Sequence, residues 1–100
     1  MQFLITAYDG TDPQAPARRQ AVRAEHLAGA ERMYREKTLL YAAAILNDAG
    51  GMAGSAMIVD FPSREAMQAE WLDNEPYITG DVWRKIEIVP CAVPGFCLSG

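Results

Sequence analysis

The stretch RRQAVRAEHLAGAERMYREK, residues 18–37, predicts one long helix with the only histidine of the protein, His26, at its middle. At about 100° per residue, its apolar side chains fall on one broad arc: Val22, Leu27, Ala30, Met33 and Tyr34. His26 lies inside that arc, with Arg23 one turn and Arg19 two turns before it. Because burying an unpaired charge is expensive, these three groups indicate either a lined pocket or partners supplied from elsewhere in the chain.

Length and charge limit the classes of function. One hundred residues predict a single domain, residues 1–100, with residues 91–100 as a C-terminal tail. The net charge of −4 argues against a nucleic-acid partner. No apolar run is long enough for a membrane span, and the first residues lack the pattern of a signal peptide. A cytoplasmic protein without a membrane partner is therefore expected.

The predicted elements follow the order strand, helix, strand, strand, helix, strand: residues 2–8, 18–37, 38–47, 55–61, 63–73 and 82–90. Residues 38–47 are ambiguous, because their alanines favour a helix while the Asn-Asp-Ala-Gly-Gly turn after them favours a strand in a hairpin. We expect the strand. Ser63 is expected to cap the second helix, a short extra turn is expected over residues 78–81, and the tail is either an edge strand or a packed arm.

This order predicts an α+β protein with a four-stranded, largely antiparallel sheet and both helices on one face. The other face then has no helix to cover it. The alternation in residues 82–90 places Trp83 on the same side as Lys85 and Val89. If Trp83, Tyr41 or Val89 point to the open face, a second copy of the protein is the natural cover, so a homodimer is expected.

Several kinds of site have no signature in the sequence. Cys91 and Cys97 lack the spacing and the neighbouring histidines of a redox or zinc site, so we interpret them as packing residues. There is no phosphate-binding glycine motif, no nucleophile elbow and no second metal ligand near His26. We therefore expect no cofactor and no metal.

Two motifs resemble the YCII-related (YciI-like) family. They are Arg19-x3-Arg23-Ala-Glu-His26-Leu27 and Trp71-x3-Glu75-Pro76-Tyr77-x2-Gly80-x2-Trp83. The resemblance extends over residues 2–90. It implies a ferredoxin-like βαββαβ domain that dimerises by stacking its sheets into an α+β barrel. It also implies a histidine and an acidic residue facing each other in a pocket, here His26 and Glu75. The family usually has Asp-Pro-Tyr, so Glu75 is one methylene longer than the acid that it replaces.

Each candidate residue also has an ordinary structural interpretation. His26 is either a general acid–base group paired with Glu75 or a core histidine bound to a backbone carbonyl. Glu75 either orients the imidazole or is a plain acid before Pro76. Arg19 and Arg23 either bind a substrate carboxylate or extend to solvent and pair with acids such as Glu75. Tyr77 is either a pocket wall or core filling.

Three functions remain open at this point. The first is a small cytoplasmic lyase or isomerase that acts on a small carboxylated molecule, with His26 and Glu75 as the catalytic pair and Arg19, Arg23 and Tyr77 binding the substrate. The second is a non-catalytic module that binds a small ligand in the same pocket. The third is a dimeric accessory domain in which His26 satisfies a buried hydrogen bond.

Overall fold

The computed structural model describes residues 1–98 of the chain. Its elements are β1 (Gln2–Asp9), α1 (Ala15–Arg35), β2 (Leu39–Leu46), β3 (Met52–Asp60), α2 (Arg64–Glu70), α3 (Pro76–Thr79), β4 (Trp83–Cys91) and α4 (Gly95–Leu98). A short 3-10 turn, Leu72–Asn74, separates α2 from α3. All strand pairs are antiparallel, in the order β2-β3-β1-β4. The predicted ferredoxin-like α+β class is confirmed, and the ambiguous segment 38–47 forms a strand.

The long helix α1 begins three residues before Arg18, next to Pro16, and it ends two residues sooner than predicted. Proline in its first turn suits a start there, because the missing N–H has no helical partner at that position. At its end, the Thr38 N–H donates to the Met33 carbonyl at 2.9 Å and the Lys37 N–H donates to the Tyr34 carbonyl at 3.1 Å. This is a Schellman ending, and it places Lys37 in the left-handed region with φ 66°.

We expect Lys37→Gly to raise the free energy of unfolding by about 0.5–1 kcal/mol, because glycine adopts the left-handed conformation without the steric penalty of a Cβ. Urea denaturation measures the change. The matched control is Arg32→Gly inside the same helix, which should lower the free energy of unfolding by about 1 kcal/mol. A Lys37→Gly protein no more stable than the wild type would contradict the helix ending described here.

The core lies between the helices and one face of the sheet. Alternate residues of β1, namely Phe3, Ile5 and Ala7, are almost inaccessible and point toward the helices. The rest of the core comes from the other elements: Met33, Leu39, Met57, Val59, Phe61, Met67, Trp71, Leu72, Tyr77, Val82 and Trp83. The polar neighbours Asp9 and Ser55 are buried on the same side. This face of the sheet therefore carries both the core and a polar cluster beside α1.

A bulge in β4 corrects the predicted alternation of that strand. Tyr8 pairs with Lys85, but Asp9 pairs with Trp83, so Arg84 is an extra residue between the two pairs. Trp83 therefore joins the buried face instead of the face that carries Lys85 and Val89, and only 5% of it is exposed. The prediction for Trp83 was wrong because the inserted residue shifts the two-residue alternation of the side chains by one position.

The helix-free face of the sheet carries one apolar row that crosses all four strands. Tyr41 pairs with Ile58, Ile58 with Leu4, and Leu4 with Val89. Tyr41 is 64% exposed and Val89 is 48% exposed. This row is the part of the helix-free face that a second copy of the protein was predicted to cover.

The predicted tail starts as the end of β4 and then turns across the rim of the open face. Its Val93 N–H donates to the Gln2 side-chain oxygen at 2.7 Å, and α4 follows. The segment and the apolar row enclose a cavity of about 510 Å³. Cys91 and Cys97 both line this cavity as free thiols. Residues 99 and 100 of the tail lie outside the described residues.

Among residues 1–98, no helix combines the length and the apolar character needed to cross a membrane.

Candidate active site

Glu75 is held at the junction between the 3-10 turn and α3. Its backbone is extended, with φ −66° and ψ 123°, as expected for a residue that precedes proline. Its side chain is buried and accepts three hydrogen bonds. Oε1 lies 2.5 Å from Nδ1 of His26 and 3.2 Å from the backbone N of Tyr77, and Oε2 lies 2.9 Å from Nε1 of Trp71. Such convergence of N–H donors is the environment of an ionised carboxylate.

The geometry around Glu75 fixes the tautomer of His26. A carboxylate can only accept, so Nδ1 of His26 carries the hydrogen of their short contact. The other ring nitrogen, Nε2, makes no hydrogen bond to any of residues 1–98, and the side chain of His26 lines a cavity. The structure thus brings together two residues that lie 49 positions apart and leaves Nε2 without a hydrogen-bond partner among residues 1–98.

A stack of side chains holds the imidazole plane in place. The rings of His26 and Tyr77 are parallel, with centroids 3.8 Å apart and planes at 11°. Trp83 contacts both rings edge-on, at centroid distances of 5.9 and 5.6 Å. The guanidinium carbon of Arg19 lies 4.6 Å from the centroid of the Tyr77 ring, a cation–π distance. Burial raises the pKa of Tyr77, so its hydroxyl stays neutral.

Arg19 is paired with a residue that sequence reasoning missed. Its Nη1 lies 2.9 Å from both carboxylate oxygens of Asp9, and its Nη2 lies 3.2 Å from the Ser55 hydroxyl, which also accepts from Nε1 of Trp83. The pairing of Arg19 with Glu75 that the sequence left open is therefore wrong. Asp9 continues the buried alternation of β1, and this was the signal in the sequence that could have identified it.

Arg23 has a different environment from Arg19. It is half-buried, it lines the same cavity as His26, and no hydrogen bond or ion pair joins it to any other residue in the described part of the chain. One donor of Arg19, its Nε, is also buried without a partner. The cationic side of the cavity therefore retains hydrogen-bond donors that the protein itself does not use.

The cavity between α1 and the sheet measures about 200 Å³. Its polar wall is formed by Arg19, Arg23, His26, Ser55 and Tyr77, and its apolar wall by Leu27, Ala30, Ala42, Ala43, Ala44, Met52 and Met57. Within residues 1–98, no three His, Cys, Asp or Glu side chains converge to hold a metal ion. The chemistry that this arrangement itself offers is proton transfer at Nε2 beside a cationic wall.

The fold and this site define a ferredoxin-like α+β protein of the dimeric α+β-barrel superfamily. The chain belongs to the YCII-related family, whose model matches residues 1–92. It is 36% identical over 96 residues to the protein YciI of Escherichia coli O6:H1 and to that of Shigella flexneri, and each comparison covers 90% of this chain and 95% of the relative.

Two solved structures share the fold. The 5-chloro-2-hydroxyhydroquinone dehydrochlorinase of Burkholderia phenoliruptrix AC1100, in complex with 2,5-dihydroxybenzoquinone, is similar with a TM-score of 0.80 and 21% identity, covering 96% of this chain and 98% of that one. A muconolactone isomerase is similar with a TM-score of 0.63 and 25% identity, covering 95% of this chain and 93% of that one. The fold is thus shared with enzymes of small molecules.

Proposed function

We propose that this protein is an enzyme of the lyase or isomerase type that transfers a proton on a small carboxylated molecule, with His26 as the acid–base group. One observation carries the proposal: the side chain of His26 lines a cavity, Glu75 holds its Nδ1, and its Nε2 has no hydrogen-bond partner within residues 1–98. An imidazole fixed in this tautomer is suited to general acid–base catalysis near neutral pH.

In the proposed reaction, Nε2 removes a proton from a carbon activated by a neighbouring carbonyl or carboxyl group. The C–H electron pair moves into the substrate as an enolate, and the ring becomes an imidazolium whose charge is balanced by Glu75. An isomerase step ends when the ring, after its proton has exchanged with solvent, delivers a proton to a different carbon. A lyase step ends when the electron pair expels a leaving group and the ring later releases the proton to water. The chain's own residues supply every group in this scheme.

Arg23 is the proposed binding group for the substrate carboxylate, because its charge has no partner within residues 1–98. Arg19 has a different proposed part, because Asp9 already neutralises its charge. Its guanidinium supports the Tyr77 ring that stacks on His26. Tyr77 is proposed as a wall of the pocket.

The shared fold supports the same chemical class. Of the two enzymes that share the fold, one is named a dehydrochlorinase, which is an eliminating enzyme, and the other a muconolactone isomerase. The apolar row on the open face supports a homodimer in which a second copy covers Tyr41 and Val89.

The free thiols of Cys91 and Cys97 agree with a reducing compartment, and we propose the cytoplasm.

The test is incorporation of solvent deuterium into a panel of small unsaturated lactone acids and hydroxyquinones, followed by NMR in D2O. We expect the wild type to exchange or convert at least one of them, and His26→Gln to slow that rate by about 10²- to 10⁴-fold. Glu25→Gln, a neighbouring exposed position on α1, is the matched control and should retain the rate. A folded His26→Gln protein with the wild-type rate would contradict the proposal. Binding of a panel acid without any exchange by the wild type would favour the non-catalytic module.

A further inference from the structure

The cavity beside His26 exists because the edge strand presents very small side chains there. β2 is an outer strand of the sheet, and on the helix-facing side Ala42 pairs with Met57 and Ala44 pairs with Ser55. Although both alanines point toward the helix layer, both are exposed. A gap therefore remains between α1 and this part of β2.

The lining of this gap combines two chemistries. The polar part includes Arg23 and His26, whose Nε2 makes no hydrogen bond within residues 1–98. The apolar part includes Leu27 and Met52, which are 46% and 41% exposed. Half-exposed apolar side chains at the mouth of a cavity are suited to the body of an apolar ligand.

We propose that the site takes a flat, apolar-bodied monoanion of about the size of benzoate, and that Ala42 and Ala44 limit the width of the ligand. The anionic group lies at Arg23, and the body lies on the methyl groups of β2. A volume of about 200 Å³ equals that of roughly seven water molecules at ~30 Å³ each, which is enough for one ring. This inference rests on the proposed function, because it takes the side of the gap at His26 as the reacting side. Its own content is the size and shape of the ligand, and its test measures binding alone.

The experiment titrates the protein with sodium benzoate and with sodium acetate while the ring signals of the single histidine are followed by NMR. Ala44→Leu fills the gap, and Ala42→Leu is a second variant with the same aim. Ala43→Leu is the matched control. Ala43 also borders the cavity, but it pairs with Ala56, so a side chain at this position points to the opposite face of the sheet and does not fill the gap. Sodium 2-naphthoate tests the upper limit of ligand size.

We expect benzoate to shift the His26 signals of the wild type and of Ala43→Leu, and to bind at least tenfold more weakly to Ala44→Leu or Ala42→Leu. Acetate binding should stay unchanged in all of them, and 2-naphthoate should not displace benzoate. Arg23→Gln should weaken the binding of both benzoate and acetate. Benzoate that leaves the His26 signals of the wild type unmoved, or that binds folded Ala44→Leu and Ala42→Leu as it binds the wild type, would overturn the inference.

This result is separable from that of the deuterium experiment. If benzoate binding depends on Ala42 and Ala44 while no acid exchanges a proton, the size limit stands and the catalytic proposal fails. If acids exchange through His26 with rates that Ala44→Leu and Ala42→Leu do not change, the catalytic proposal stands and the size limit fails.

Discussion

Replacing Asp9 by alanine is expected to lower the free energy of unfolding by about 3–5 kcal/mol, the usual cost of removing one partner of a buried ion pair. The substitution leaves the Arg19 guanidinium, itself only 6% exposed, without the two carboxylate oxygens that now face it at 2.9 Å. The remaining contacts of Arg19, to the Ser55 hydroxyl and the Tyr77 ring, carry no opposite charge. Urea denaturation followed by tryptophan fluorescence measures the loss.

The matched control for Asp9→Ala is Asp12→Ala. Asp12 makes two hydrogen bonds of 2.7 Å to Arg18, in an ion pair that is open to solvent, and its removal should cost far less. Arg18 holds the pKa of Asp12 well below its usual range. Asp12 therefore contributes stability above about pH 4 and loses that contribution as the pH falls. If Asp9→Ala destabilises the protein no more than Asp12→Ala does, the burial of the Arg19 guanidinium does not depend on its ion pair with Asp9.

Replacing Glu75 by glutamine is expected to slow proton transfer by about 10²- to 10⁴-fold while the protein stays folded. Three N–H groups converge on the Glu75 carboxylate. A neutral amide has one acceptor oxygen and two N–H donors of its own, so it cannot receive all three. It also removes the negative charge that stabilises the imidazolium of His26. The rate of deuterium incorporation into the substrate measures the effect.

The conservative variant for this position is Glu75→Asp, which keeps the negative charge and shortens the side chain by one methylene. It should retain more activity than Glu75→Gln, because stabilisation of the imidazolium depends on charge. An equal loss in both variants would mean that only the reach of the side chain matters. Wild-type activity in Glu75→Gln would remove Glu75 from the proposed catalytic pair.

The sequence predicted the long helix and the position of its histidine because both follow from a local period of 3.6 residues. The extended backbone of Glu75 was also predictable, since it depends on one neighbour, Pro76. The meeting of His26 and Glu75 was different. Their 49-residue separation carries no local signal, and it entered through the resemblance to the YCII-related family.

What the sequence did not reveal depends on contacts between distant segments. The extra residue Arg84 in β4 shows no local sign, yet it places Trp83 instead of Arg84 opposite Asp9. The partners of Arg19 lie on that same face of the sheet, where Asp9 belongs to β1 and Ser55 to β3. The cavity likewise arises because α1 does not extend over the alanines of β2, and a strand read alone gives no information on what covers it.

The most direct test of the central claim is a long-range ¹H–¹⁵N NMR spectrum of the single histidine, recorded at a pH where the ring carries one proton. The orientation given by Glu75 predicts a protonated Nδ1 and an Nε2 with the chemical shift of an unprotonated nitrogen in the wild type. It also predicts that this preference weakens in Glu75→Gln. A spectrum with the proton on Nε2 in the wild type would contradict the claim, because the cavity would then face a donor and the nitrogen proposed as the base would have no free lone pair.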